Sequence, residues 1–465
     1  MSMISEQKKQ SSEIGGRPGS LQNKLRKCPI EKAFLAAFIA IEIIAMAMIP
    51  FNAPPDEGTH FLKIWILSTG QMNADEYEYP ENILSRFRIG DHDYSEPEED
   101  LSRLFAERVS SVLLRESSYE VTEVYPFLSY MPQALTVFLA RLLTDRLGIL
   151  LYSARIGSMI VTTLLFYFAV KRIPCGKYIL MAIAFLPMTI QETASASCDG
   201  MTIAGVSLII ATITGFITGH MELTKRRIIE LGVLSFCAVL WKVFYLPVLL
   251  LILLIPADTL LRKRHKYKAG ITVILAVGFG LLLWYLFSLK TLMITGSRTS
   301  SAIPRGLGII LNPTQFISIQ ANTIRNHVKE WFLEVFGVLG RLNRFSPSWL
   351  YIPLMMVFLA IICLDEKMDT ICPDKRTLIC FIVMMVMVFL IIWTLLAGCL
   401  LIWWTEEGLS TIKGIQGRYF LPICMCVLLC LPSIKVLTKA KREKILQMFI
   451  TVFSLLSITT LLVLF

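Results

Sequence analysis

The stretch AFLAAFIAIEIIAMAMI at residues 33–49, followed by Pro50-Phe51-Asn52-Ala53-Pro54-Pro55-Asp56-Glu57-Gly58-Thr59-His60, decides the fold. A largely apolar run of this length suits a helix that crosses a bilayer. The prolines behind it stop the helix, because proline donates no N–H and restricts the residue before it. Two adjacent carboxylates and an imidazole then lie where that helix surfaces. A chain that only had to leave the bilayer needs no more than a polar turn. Acid-acid-x-x-His is chemistry suited to an active site at the membrane surface.

Runs of the same kind recur to the end of the chain. With 465 residues, 55% hydrophobic and 17% charged, and a mean hydropathy of +0.63, the composition departs from that of soluble domains, which carry about 25% charged residues. The expected fold class is an all-α polytopic membrane protein. The net charge of +10 is assigned to a positive-inside bias and not to nucleic-acid binding. The long acidic loop after residue 51 holds no cysteine, so no extracellular disulfide framework is expected. Cys424, Cys426 and Cys430 fall inside an apolar run and read as small hydrophobes, not as a zinc site.

Eleven spanning helices are expected, near 33–50, 152–170, 178–194, 201–219, 228–241, 244–259, 270–289, 348–364, 377–403, 418–436 and 445–465. Lys and Arg then cluster on every second connection: the N-terminal tail, Lys171/Arg172/Lys177, Lys225/Arg226/Arg227, Arg262 to Lys266, Lys375/Arg376 and Lys439 to Lys444. That alternation puts these turns and the N-terminus in the cytoplasm. It holds only if Phe127–Leu143 does not cross. Its Tyr125-Pro126 entry, internal Pro132 and flanking Arg141 and Arg146 suit a helix lying in the outer interface. The organisation is therefore a basic tail at 1–32, disordered at 1–27, ahead of one transmembrane domain at 33–465. Outer loops are expected at 51–150, carrying the acidic run Asp91 to Asp100, and at 290–347. In the second of these, Asn312-Pro313 reads as a helix N-cap and first-turn pair. The apolar run after Ala33 reads as a retained signal-anchor.

Several residues on the outer side can do chemistry. Asp56 and Glu57 read as a carboxylate general base and its neighbour, with His60 one helical turn beyond Glu57. Glu192 and Asp199 flank the small run Ser195-Ala196-Ser197, and an acid there is either a helix cap or part of a site. Lys242 lies between two apolar half-helices, where an ionisable group marks function or snorkels to the interface. In Gly414-Ile415-Gln416-Gly417-Arg418-Tyr419 the glycines permit close backbone approach, and the guanidinium can grip a phosphate with two parallel hydrogen bonds. One acid–imidazole pair supplies too few ligands for a metal, and no resident metal is assigned.

Pro55-Asp56-Glu57-Gly58-Thr59-His60, Tyr125-Pro126, Ala196-Ser197-Cys198-Asp199-Gly200, Lys242-Val243-Phe244-Tyr245 and Gly414 to Tyr419 occur in order along the chain. Together they resemble the bacterial polytopic family known as domain of unknown function 2142, over most of 33–436. That family looks like a branch of the GT-C fold glycosyltransferases. The resemblance implies an outer-loop acid as base, a juxtamembrane helix in the first loop, and a polyprenyl-phosphate sugar donor. On that basis Asp56 is the base and Arg418 the phosphate binder; Glu57 is expected as supporting acid or backup base, with Gln416, Lys242, Tyr245, Asp199 and His60 around the substrate. Two departures from the family pattern are Cys198 before Asp199 and Gly340-Arg341-Leu342-Asn343, where a Gly-Trp and an acid are usual.

The expected function is transfer of a sugar from a polyprenyl-phosphate carrier to a cell-envelope glycan or lipid-linked acceptor, on the outer face of a bacterial cytoplasmic membrane. A divalent cation is compatible with that chemistry. The rival readings are a polysaccharide ligase or polymerase using an undecaprenyl diphosphate-linked glycan, and a lipid or polysaccharide transporter. No internal repeat of the kind common in secondary transporters is evident.

Overall fold

The computed structural model describes residues 29–71, 77–87, 101–116, 125–257, 260–289, 299–372, 374–434 and 437–465. The basic tail up to residue 28 and the acidic run 91–100 lie outside the described residues, as does the start of the second expected outer loop. The chain opens with α1 (Ile30–Met48), which ends where Pro50 forbids continuation, and then α2 (Glu57–Ser68). A small unit follows: β1 (Tyr77–Pro80), α3 (Glu81–Phe87), α4 (Leu101–Ala106) and β2 (Leu113–Glu116), with β1 and β2 antiparallel and Tyr77 opposite Glu116. A 3-10 turn at Phe127–Tyr130 leads into α5 (Met131–Arg141), and then come α6 (Leu147–Arg172), α7 (Lys177–Ala184), α8 (Pro187–Thr193), α9 (Asp199–Ile217) and α10 (Lys225–Trp241).

Val243–Leu254 is wound as a 3-10 helix containing Pro247. Next are α11 (Leu260–Trp284), α12 (Thr299–Leu311) and α13 (Pro313–Phe336). The two-residue strands β3 (Val338–Leu339) and β4 (Arg344–Phe345) form a hairpin, followed by α14 (Ser348–Leu364), α15 (Met368–Ile371) and α16 (Lys375–Trp403). A second 3-10 segment, Gly417–Ile423, runs into α17 (Cys424–Leu428), and α18 (Lys439–Leu464) closes the chain. Asn312 occupies the N-cap of α13 with Pro313 in its first turn, although its side chain makes no capping hydrogen bond.

The protein is an all-helical membrane protein. Among the described residues six segments are long and apolar enough to cross a membrane: Leu147–Arg172, Asp199–Ile217, Leu261–Phe287, Ser348–Ile371, Lys375–Trp403 and Lys439–Leu464. The other expected spans have different shapes. The run 178–194 is broken at Phe185-Leu186 into α7 and α8, with Pro187 opening the second piece. The run 244–259 is largely 3-10 wound, and the run 418–436 opens with the 3-10 segment Gly417–Ile423 before the short α17; each 3-10 segment contains a proline that cannot donate a helical hydrogen bond. The expected span at 33–50 corresponds to α1 and carries Glu31, Lys32 and Glu42. The stretch after Phe127 makes an 11-residue helix. At 1.5 Å per residue it rises ~16 Å, about half of a hydrocarbon core.

Three apolar cores are found among the described residues; the smallest, around Trp331, Trp393 and Ile415, packs α13 against α16, and the two larger ones frame the site. The largest is the helical bundle, with α9 at its centre and every one of its residues buried. Small residues allow that position: a Cβ on Gly205 would lie 2.1 Å from the Trp241 ring. The second core, built on Phe61, Trp65, Tyr79, Leu84, Tyr130 and Leu151, gathers α2, α3, α5 and the start of α6 into a cap. Asp56 and Asp199 lie at the junction of cap and bundle, because α2 and α9 both begin there.

Candidate active site

The site is built on four chain breaks. The first is the turn between α1 and α2. Asn52 and Asp56 both adopt left-handed backbone, with φ of 68° and 61°. These are residue types that tolerate such conformations through their short polar side chains. The Asn52 side chain accepts a hydrogen bond from the Gly58 N–H at 3.1 Å. The turn thereby presents Asp56 outward, with its side chain 60% exposed, and turns Glu57 inward to complete burial.

Glu57 is fully engaged. Its two carboxylate oxygens accept from Arg155 Nε and Nη2, each at 2.8 Å. The backbone N–H groups of Asn52 and Ala196 add bonds of 2.8 and 2.9 Å. Arg155 also donates to the carbonyls of Ile49 and Pro50 at 2.7 and 2.9 Å. It thereby satisfies the C-terminal end of α1, whose last carbonyls have no partner within the helix. This knot joins α1, α2, α6 and the turn before α9. It leaves Glu57 no open face for a substrate hydroxyl.

The fourth break brings Arg418. Gly417 is required there, since a Cβ would stand 2.3 Å from the Trp331 carbonyl oxygen. The Gly417 N–H donates to the Glu334 carboxylate, and Trp331 Nε1 donates to the Ile415 carbonyl at 3.0 Å. With the backbone seated on α13, the buried Arg418 guanidinium meets three acids. Nη2 donates to Asp56 at 2.6 Å and Nη1 donates to Glu192 at 3.3 Å, while Nε lies 3.5 Å from Asp199. Nη1 also reaches the Pro55 carbonyl at 3.3 Å.

Lys242 stands at the break after α10 and pairs with the other oxygen of Asp199. Its ammonium lies 5.3 Å from the ring centres of both Tyr125 and Tyr419, within cation–π range. Burial alone would lower its proton affinity, but Asp199, together with Tyr125, Cys198 and Tyr419, outweighs that and holds it well above an ordinary lysine. Tyr245 donates to the Tyr419 carbonyl at 2.9 Å and so braces the tyrosine. His60 Nδ1 lies 2.7 Å from the Tyr130 hydroxyl, which in turn faces Cys198 Sγ at 3.7 Å. Burial pushes the His60 imidazole down to about 4, so it is neutral at neutral pH. Burial would raise Asp56, but Arg418 and His60 outweigh it and hold the carboxyl below the usual aspartate range.

Asp56, Asp199, Lys242 and Arg418, separated by up to 362 positions in sequence, therefore form one contiguous charged network. His60 and Tyr245 brace its walls. Gln416 caps the Arg418 segment, and its buried Oε1 has no hydrogen-bond partner among the described residues, as is also true of Glu192 Oε2. Arg155 carries Glu57 and was not singled out in the sequence. A single charge within 147–170, ahead of the terminal Lys171-Arg172 pair, is the signal that marks it, because a charge at such a place needs a partner. The β3–β4 hairpin, at the departure from the family pattern, is tied to the same region. Gln191 exchanges two hydrogen bonds with Gly340, and Arg341 Nε donates to the Asn52 carbonyl at 3.0 Å. Among the described residues no group of three or more His, Cys, Asp or Glu side chains is arranged to hold a metal ion.

A family model described as "Predicted membrane protein (DUF2142)" matches residues 38–427, and the chain belongs to that family. No curated protein matches, and no solved structure matches.

Proposed function

For this member of a family described only as predicted membrane proteins, we propose a GT-C-like glycosyltransferase. In this reading about eleven membrane-embedded segments carry the site, counting the broken and 3-10 wound runs with the six long helices. The enzyme moves a sugar from a polyprenyl-phosphate donor to a cell-envelope glycan or lipid-linked acceptor, on the extracytoplasmic face of a bacterial cytoplasmic membrane. The observation that carries the reading is one exposed carboxylate, Asp56, held 2.6 Å from a buried arginine. A base for a hydroxyl and a cation for a phosphate then stand side by side at the end of an apolar helix.

In the proposed reaction Asp56 takes the proton of the acceptor hydroxyl. The acceptor oxygen forms its bond to the anomeric carbon while the bond from that carbon to the phosphate oxygen breaks. The carrier leaves as a phosphate whose added negative charge falls on Arg418. Lys242 sits behind Arg418 and sustains the positive field there through Asp199. Glu57 is assigned a positioning role, because every oxygen it has is already bonded. The test is sugar transfer from a polyprenyl-phosphate sugar by purified protein or membranes. Loss of transfer in Asp56→Asn is expected, and full turnover by that variant removes the assignment.

A second reading, transport of an anionic lipid-linked glycan, draws on one observation. The charged residues sit at interrupted helices, as in transporter binding sites: Lys242 after α10, Glu192 and Asp199 between α8 and α9, and Arg418 in a 3-10 segment. Flipping of a lipid-linked glycan in proteoliposomes without any acceptor would favour it. A ligase or polymerase shares the transferase chemistry and is selected if the donor is a whole glycan on a diphosphate.

A further inference from the structure

Arg418 is surrounded by acids, and this poses a problem for a phosphate site. Both terminal nitrogens of the guanidinium are already hydrogen-bonded, while Nε lies 3.5 Å from Asp199 and has no hydrogen-bond partner among the described residues. Glu192 and Asp199 are buried with it, at 0% and 6% exposure, whereas the Asp56 side chain is largely in water. Removing a buried partner leaves an uncompensated charge in low dielectric, and removing a hydrated one does not. Nη2 is also the nitrogen bonded to the exposed acid, with Asp56 as its one hydrogen-bond partner among the described residues. The exchangeable ligand of Arg418 is therefore Asp56.

We propose that Asp56 is a latch on the phosphate-binding arginine: an incoming lipid phosphodiester replaces the Asp56 carboxylate on Arg418 Nη2, and the released carboxylate becomes the working base. The inference rests on the phosphate-donor reading above and adds an order of events to it. A phosphodiester oxygen offers the guanidinium the same charge and the same kind of lone pair as the carboxylate it displaces. Asp56 is held at φ 61°, ψ 7°, a left-handed conformation that costs an L-residue energy.

The charged and titratable groups facing Asp56 are Arg418 on the 3-10 segment, His60 on α2 and Asp199 on α9. Of these, Arg418, through its charge and its hydrogen bond, is the group that most restrains the proton affinity of Asp56, with His60 adding to it. Once a phosphate neutralises Arg418, that restraint is lifted. The base is then weak in the empty protein and competent only beside a bound donor. By linkage the effect is reciprocal, so whatever the phosphate does to Asp56, Asp56 does to the phosphate.

The test is binding, not turnover. The probe is a short-chain prenyl phosphodiester without a sugar, whose single charge is constant across the titration, set against dimethyl phosphate. Affinity is measured in detergent for the full chain and for Asp56→Asn, with thermal unfolding confirming that the variant is folded. Asp56→Asn is expected to bind the prenyl phosphodiester about fivefold more tightly, the competition of one partly exposed ion pair. In the unsubstituted chain affinity rises as pH falls and Asp56 is protonated; Glu192 and His60 can add a slope of their own in both chains, so the part due to Asp56 is the part missing from Asp56→Asn, and equal slopes in the two chains overturn the latch.

Affinity that is unchanged or weaker in Asp56→Asn, in a chain whose binding is abolished by Arg418→Gln, overturns the latch and leaves the phosphate-donor reading standing. Failure of every variant to bind either probe, or binding that does not depend on Arg418, overturns both. The difference between the pH titrations of the unsubstituted chain and Asp56→Asn decides the latch if Arg418→Gln does not fold. Equal tightening toward dimethyl phosphate supports the latch and assigns recognition to the phosphate alone, whereas tightening confined to the prenyl probe assigns it to the lipid.

Discussion

Glu57 and Arg155 meet through two parallel hydrogen bonds of 2.8 Å, both side chains at 0% exposure, while the neighbouring Asp56 points away from them into water. Two adjacent acids of the same chemistry thus have opposite duties, and the difference is set by the left-handed turn that carries Asp56.

The pair separates stability from activity. Arg155→Met is expected to cost about 3–5 kcal/mol, since it leaves Glu57 buried without its cation. Asp56→Asn is expected to change stability by under ~1 kcal/mol, because its ion pair is partly hydrated, yet to lower transfer by about 10²–10⁴-fold, the range for losing a general base. Chemical denaturation in micelles beside the transfer assay checks both. A strongly destabilised Asp56→Asn, or an unaffected Arg155→Met, contradicts the division.

His60 gives a pH dependence of stability with a defined sign. Burial lowers its folded value from 6.5 to about 4, so the unfolded chain takes up the proton first. The stabilisation is complete above about 6.5 and is lost as pH falls from there toward about 4. His60→Gln, which retains a hydrogen-bonding partner for Tyr130, is expected to flatten the stability profile over that interval. Asp56 acts in a separate window. Its folded value is lowered, so its contribution is present above the ordinary aspartate value of 3.8 and is lost only at lower pH. Unfolding followed from pH 4 to 8 distinguishes the two.

Much of the charged network was legible in the sequence, for a local reason. Asp56, Asp199, Lys242 and Arg418 each follow or interrupt an apolar run, and an ionisable group there stands out against its neighbours. Arg155 and Glu57 form a bond across 98 positions, and nothing near either residue announces the other. The breaks at Phe185-Leu186 and the 3-10 winding of 243–254 were hidden for a different reason. Hydropathy averaged over a window measures how apolar a segment is and carries no record of how its backbone is wound. Pro187 and Pro247 were the visible clues, and each makes the continuous α-helix expected there costly.

Gly417 tests whether the arginine depends on close backbone packing. A methyl group at that position meets the Trp331 carbonyl at 2.3 Å and the Glu334 Cβ at 2.9 Å. The carbonyl belongs to α13 and cannot move aside as a side-chain tip can, so overpacking of about 1–3 kcal/mol is expected for Gly417→Ala. The displaced segment carries Arg418 away from Asp56. Transfer and phosphodiester binding should therefore fall together, whereas Gly408→Ala, with open space around its Cβ position, should leave phosphodiester binding intact even though its positive φ makes that variant strained. Equal effects at the two glycines would argue against close approach as the cause.

The Lys242–Asp199 pair touches the phosphate-binding arginine through the Asp199 carboxylate, and a double-mutant cycle reads that connection. Lys242→Met leaves Asp199 with Arg418 at 3.5 Å as its remaining cation. The aspartate then draws the guanidinium toward itself and away from Asp56. A loss of about 3–5 kcal/mol is expected for this single substitution, because a buried charge loses its partner. In Lys242→Met/Asp199→Asn that charge is gone, and part of the loss should be recovered, with a coupling of about 0.5–3 kcal/mol. Phosphodiester binding should follow the same order, weakest in Lys242→Met and partly restored in the double variant. Strict additivity of the two substitutions would mean that Lys242 serves its tyrosine cage alone and has no part in holding Arg418.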